Sequence, residues 1–194
     1  MDIKPIETEY NGYRFRSRLE ARWAVFFDKA DIEYQYEPEG FQLDDGTKYL
    51  PDFYLPQMKL YVEIKPEKSL EAELRYSQRA ICFVKSTGNV MVLCCGDPYE
   101  PDIYIYTYFQ GEVVGRYGVF TVIQGEPFIV VQYNQIERYT NKDGQDVGII
   151  TTRTLLELLK DKYCSSLYRT LKGTSLRTAR LAGRMARFEY GEKG

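Results

Sequence analysis

Two strand-forming runs, KYLPDFYL and LYVEIK, are joined through residues 56–59, Pro-Gln-Met-Lys. A connection that short dictates an antiparallel hairpin, because parallel strands need a crossover of about a dozen residues or more. Counting outward from the midpoint between Gln57 and Met58 sets Asp52 opposite Glu63. Side chains alternate along a strand, so Asp52, Tyr61, Glu63 and Lys65 share one face, while Leu60, Val62 and Ile64 point into the core. Directly opposed residues have Cβ atoms about 5 Å apart. Two ionised carboxylates at that separation repel each other. Among apolar neighbours each is unfavourable unless it is paired, hydrogen-bonded or bound to a cation.

A cation answers that repulsion. Asp52 and Glu63 supply oxygen ligands of the kind hard ions such as Mg²⁺ or Mn²⁺ prefer. The Ile64 carbonyl offers one more. Lys65 stands beside a metal-bound water, where it can orient or stabilise hydroxide or donate to a phosphate oxygen. A plainer reading is also open. Asp52 and Glu63 are then rim residues of an exposed sheet face and Lys65 is their ion-pair partner, an arrangement contributing only ~0–1 kcal/mol.

The chain has no histidine. A Ser-His-Asp triad, a Cys-His dyad, an H-E-x-x-H zinc site and a histidine base are therefore excluded. Neither G-x-G-x-x-G nor a Walker-type loop occurs, so no organic or nucleotide cofactor is expected. Cys82, Cys94, Cys95 and Cys164 lack C-x-x-C spacing and read as reduced thiols of a cytoplasmic protein. No apolar run has the length of a membrane span or the character of a signal peptide.

Along the chain, residues 10–16 read as an extended lead-in. Ser17 and Glu20 match the capping box S-x-x-E, which starts a helix whose apolar face carries Leu19, Trp23, Phe26, Phe27 and Ala30. The runs IEYQYEP, FQL, KYLPDFYL and KLYVEIK read as three antiparallel strands, closed by Pro66. Residues 67–87 read as a second, amphipathic helix and VMVLCC at 90–95 as a buried strand. The β-branched and aromatic stretch 99–150 reads as a β-meander inserted into, or elaborating, the core. Residues 151–162 and 165–188 read as two C-terminal helices, the second one basic.

Pro51-Asp52 followed by Glu63-Ile64-Lys65 resembles the P-D…(D/E)-x-K signature of the restriction-endonuclease-like nuclease superfamily. The order helix, three strands, helix, strand resembles its αβββαβ core. The stretch YRFRSRLEARWAVFFDKADIEYQYEPEGF and the tail ARFEYGE look like a phage and bacterial nuclease-like group within it. The resemblance covers residues 10–97 well and the C-terminal tail more loosely. It implies an α+β (α/β) fold with a mixed central sheet. Residues 10–97 form the nuclease core, 98–150 a β-rich insertion, and 151–194 a helical segment packed on the core. It implies a phosphodiester hydrolase acting on DNA with Mg²⁺ or Mn²⁺, in which Asp52, Glu63 and Glu20 hold the metal and Lys65 acts on the attacking water. It also suggests that Gln78, on the second helix, faces the site. Glu20 keeps an alternative role as nothing more than the capping partner of Ser17.

The remaining basic residues point to a polyanion. Arg14, Arg16 and Arg18 flank a helix start, where the dipole disfavours cations. They either grip phosphates or lie on the surface, pairing with Glu7 and Glu9. Arg177, Arg180, Arg184 and Arg187 fall on one helical stripe. That stripe is read either as a DNA-facing patch or as a solvated face. Tyr104, Tyr106 and Tyr108 alternate on one strand face, either packing there or stacking on bases. Paired cuts on two strands would favour a homodimer. RNA or cyclic nucleotides as substrate, and a binding module without cleavage, remain the rival readings.

Overall fold

The structure is a computed structural model that describes residues 5–66, 68, 70–109, 112–123, 126–140, 146–154, 174–186 and 188. Its centre is an eight-stranded sheet. The hairpin lies toward one end of it, one strand in from the edge. Strand β6 (Phe53–Leu55) pairs with β7 (Leu60–Lys65) in the register Phe53↔Val62, Tyr54↔Tyr61 and Leu55↔Leu60. One step further the same register sets Asp52 against Glu63, as the turn at 56–59 demands.

Before the hairpin comes helix α1 (Arg18–Lys29). Ser17 is its extended N-cap, and the Ser17 hydroxyl accepts the Glu20 N–H at 3.2 Å. The capping box thus places the start one residue later than expected. The short strand β3 (Gln35–Tyr36) then pairs antiparallel with β6. The lead-in folds back as its own hairpin, β1 (Thr8–Tyr10) and β2 (Tyr13–Phe15). Its turn is Asn11-Gly12, both at positive φ, as a two-residue hairpin turn requires.

The three antiparallel strands expected in residues 32–65 are β3, β6 and β7, but the run FQL is not among them. FQL and the start of KYLPDFYL form a separate two-stranded sheet, β4 (Phe41–Gln42) and β5 (Lys48–Tyr49). Only β3, β6 and β7 enter the main sheet. The Asp44-Asp45-Gly46 turn folds β4 onto β5 locally, and the pair lies against the second helix, where the Asp44 N–H donates to Ser86 Oγ at 2.9 Å.

Helix α2 (Leu70–Thr87) carries the chain over to β8 (Val90–Cys95), which runs parallel to β7. The meander follows as β9 (Asp102–Phe109), β10 (Glu112–Ile123), β11 (Glu126–Thr140) and β12 (Asp146–Thr154). β9 pairs antiparallel with β8, so the meander continues the central sheet in the order β12-β11-β10-β9-β8-β7-β6-β3. Residues 151–154, expected to open a helix, are the end of β12. Their Thr-Thr-Arg-Thr composition favours strand. The rest of that expected helix, 155–162, lies outside the described residues. The last described helix, α3 (Thr174–Met185), ends before the expected 188, and residues 165–173 lie outside the described residues.

Each face of the sheet has its own core. On one face Trp23, Phe26 and Phe27 of α1 and Ala179 of α3 pack with Val62, Ile64 and Cys94. On the other, Phe83 and Val84 of α2 pack with Tyr49, Tyr61 and Met91. β7 is buried from both sides and reads as a near-continuous apolar run for that reason. Cys94 and Cys95 are thiols on opposite faces of β8, and burial pushes the Cys94 thiol well up; Cys164 lies outside the described residues. Among the described residues no helix is long and apolar enough to cross a membrane.

α3 reaches α1 by means of a small residue. A Cβ on Gly183 would stand 2.8 Å from the Arg22 carbonyl oxygen and 2.7 Å from Pro98 Cγ. Gly183→Ala should therefore push the helices apart and destabilise the protein by about 1–3 kcal/mol. Chemical denaturation followed by circular dichroism tests this, and an unchanged midpoint would refute the close approach.

Candidate active site

The carboxylates cluster where β7 ends and the first turn of α1 comes level with it. Asp52 is 5 % exposed, and Glu20 and Glu63 are 9 % exposed. Such burial, under the cover of α2, rules out an exposed face bearing a surface ion pair. Together they line a cavity of about 730 Å³. Expected site residues Glu20, Asp52, Glu63, Ile64 and Lys65 all border it, as does Arg16.

Each acidic oxygen meets a protein donor. Asp52 Oδ2 accepts the Ile64 N–H at 2.7 Å, and Oδ1 lies 3.5 Å from the Arg16 guanidinium. Glu63 Oε1 is 2.5 Å from Lys65 Nζ, and Oε2 accepts the Tyr49 hydroxyl at 2.8 Å. Glu20 Oε1 accepts Ser17 Oγ at 2.7 Å, and Oε2 accepts the Tyr36 hydroxyl at 2.6 Å and the Arg16 N–H at 3.1 Å. The capping role of Glu20 is thus real and coexists with its place on the cavity wall.

The electrostatics record an excess of buried negative charge. Burial, then the neighbouring Glu63 and Glu20, push the Asp52 carboxyl well above its ordinary range; the Ile64 N–H and Lys65 offset only part of that. For Lys65, burial works to lower the pKa, but the Glu63 carboxylate and Asp52 outweigh it, so the ammonium stays charged. Burial and the adjacent Glu63 raise the Tyr49 hydroxyl, which remains a proton donor.

Among the described residues no three carboxylate, thiol or imidazole side chains are arranged as a ready set of metal ligands. The reason is visible in the hydrogen bonds just given, which turn the oxygens toward Lys65, Tyr49, Tyr36 and Ser17. The donor set itself suits a hard divalent cation: it is all oxygen, buried and short of compensating charge at Asp52.

The other expected binding residues scatter. Arg16 enters the site and also pairs with Glu37. Arg14 pairs with Glu7 in the open, and neither Arg14 nor Arg18 lines the cavity. On α3, Arg180 is partly buried, which depresses its guanidinium pKa, and Arg184 lies 4.6 Å from the Tyr99 ring centroid. The side chain of Arg177 and all of Arg187 lie outside the described residues. Neither Arg180 nor Arg184 lines the cavity. Tyr106 is buried in the α2-side core and Tyr104 packs against it, while Tyr108 is 52 % exposed, so the first two belong to a packing face. Gln78 is exposed and does not line the cavity; Arg75, Tyr76 and Arg79 of α2 occupy the wall instead. Tyr36, Tyr49, Arg75 and Arg79 were not anticipated. In the sequence the tyrosines look like ordinary strand aromatics, and the arginines lie one turn apart on what reads only as an outer helical face. No family model and no curated protein matches the chain.

Proposed function

We propose that this chain is a divalent-metal-dependent nuclease that hydrolyses phosphodiester bonds of DNA. One observation carries the reading: Asp52 and Glu63 lie buried and opposed at the end of a hairpin, with Lys65 held on Glu63, in a cavity wide enough for a nucleotide. The order α1, antiparallel β3-β6-β7, α2, then β8 parallel to β7 supports assignment to the restriction-endonuclease-like fold.

Asp52 and Glu63 would hold Mg²⁺ or Mn²⁺, aided by Glu20 and the Ile64 carbonyl. Such an ion supplies a water of lowered pKa and neutralises charge on the phosphate. The chain's own groups do the rest. Lys65 keeps a proton on Nζ and offers positive charge to the oxygen that attacks or to a phosphate oxygen. Tyr49 fixes one oxygen of Glu63, and the Ile64 N–H fixes one oxygen of Asp52. Arg16, beside Asp52, is placed to meet the anionic substrate.

The test is a panel of labelled linear, nicked, branched and single-stranded DNA, with RNA, incubated with Mg²⁺, Mn²⁺ or EDTA. Cleavage of DNA with metal and none in EDTA is expected, and Lys65→Ala should lower the rate by about a hundredfold. Absence of any cut by a folded protein would overturn the reading. A second reading, a binding module with this core and no cleavage, draws support from the hydrogen bonds that already engage all three carboxylates. In that case Asp52→Ala would leave nucleic-acid affinity unchanged.

A further inference from the structure

The cavity has a second wall, lined by basic residues. Lys48 on β5 and Arg75 and Arg79 on α2 border it. Arg75 and Arg79 are four residues apart, hence on one helical face, and both are exposed. The Arg79 guanidinium lies 6.0 Å from the Tyr49 ring centroid. Arg75 lies 5.7 Å and Lys65 Nζ 5.5 Å from the Tyr76 ring centroid. Basic side chains thus stand on the cavity wall at Lys65 of β7 and at Arg75 and Arg79 of α2, with Tyr49 and Tyr76 beside them. Among the described residues, the acidic groups bordering the cavity are the three carboxylates, and five cations face them there, in a chain of net charge −2.

We infer that Lys48, Arg75 and Arg79 form a phosphate subsite that takes the backbone phosphate next to the one at Asp52 and Glu63. The substrate is then a nucleic-acid strand with consecutive phosphates, not a mononucleotide or a cyclic nucleotide. Guanidinium forks match phosphate oxygens two at a time, and aromatic rings beneath them limit their freedom before the ligand arrives. Contacts of this type position a strand without reading its bases. The identity of the adjacent phosphate as the scissile one rests on the nuclease reading; the subsite itself rests on charge and position.

The experiment measures binding of labelled DNA and RNA oligonucleotides of about a dozen nucleotides by fluorescence anisotropy in EDTA, where no cutting occurs. Wild type should bind. The double variant Arg75→Gln/Arg79→Gln should bind about a hundredfold more weakly, about tenfold for each guanidinium removed. Its log affinity should fall less steeply with log salt, by about 1.4. Should that variant melt early in circular dichroism, Arg75→Lys/Arg79→Lys keeps the charge while losing the forks, and must fall between the two. Unchanged affinity and salt slope in the double variant, no binding by wild type, or competition by thymidine monophosphate as strong as by the oligonucleotide would each overturn the subsite. If binding behaves as expected but no strand is cut with Mn²⁺ or Mg²⁺, the subsite stands and the nuclease reading fails. If cutting persists with unchanged KM in the double variant, the reverse holds.

Discussion

Asp52→Asn is expected to abolish cleavage in Mg²⁺ or Mn²⁺ and, in EDTA, to make the protein more stable. The loss follows from charge. An amide keeps the shape and one acceptor oxygen but not the charge that holds a cation. Several kcal/mol of transition-state stabilisation then disappear, at least about a thousandfold in rate. The gain follows from the same charge. Asp52 is buried, faces Glu63 and Glu20, and is offset only in part by the Ile64 N–H and Lys65. Its folded pKa lies above the ordinary 3.8. The stability it contributes is therefore full below that ordinary value and is lost as pH rises through the raised folded one. The variant does not suffer that loss. Wild type and variant should melt alike in acid and part company at neutral pH, where the variant should be more stable by about 1–2 kcal/mol, or a few degrees for a chain of this size. A variant that melts lower at neutral pH in EDTA would show that the buried charge is well compensated.

Trp23→Ala is expected to have the largest effect on stability. Trp23 is fully buried on α1, packs against Phe26 and Phe27 with ring centroids 5.5 and 5.7 Å away, and donates Nε1–H to the Gly96 carbonyl at 3.0 Å. Truncation opens a large cavity, worth about 3–5 kcal/mol, and leaves a buried carbonyl without its donor. The midpoint of thermal unfolding should drop by about 10 °C. Trp23 is the sole tryptophan, so circular dichroism must replace fluorescence in this measurement. Trp23→Phe should recover much of the packing but not the hydrogen bond. A loss under about 1 kcal/mol in Trp23→Ala would mean that the core closes over the gap.

What could be read in advance followed the local rules. The hairpin register depends on a four-residue turn and the two-residue period, so the opposition of Asp52 and Glu63 was legible. The start of α1 was legible because Ser17 and Glu20 form a recognisable cap. The strand at 90–95 was legible from its unbroken apolar run. What escaped depended on long-range placement. Nothing local tells that β4 and β5 pair with each other off the main sheet, or which strand of that sheet β9 joins. Arg75 and Arg79 border the same cavity as Lys48 because α2 packs beside the β4–β5 hairpin. The hydroxyls of Tyr36 and Tyr49 reach Glu20 and Glu63 across the fold, contacts that a strand pattern does not encode.

Glu20 belongs at once to the cavity and to the first turn of α1, where its oxygens satisfy Ser17, Tyr36 and the Arg16 amide. A ligand that draws this side chain away from the helix start competes with those partners, and by thermodynamic reciprocity whatever frays the helix start weakens such a ligand. Displacement of Glu20 by a ligand would thereby change the surroundings of the Arg16 amide, which donates to Glu20 at 3.1 Å and to the Tyr36 hydroxyl at 2.9 Å. Hydrogen exchange at that amide serves as an internal gauge of the site, readable without turnover and without any label on the ligand.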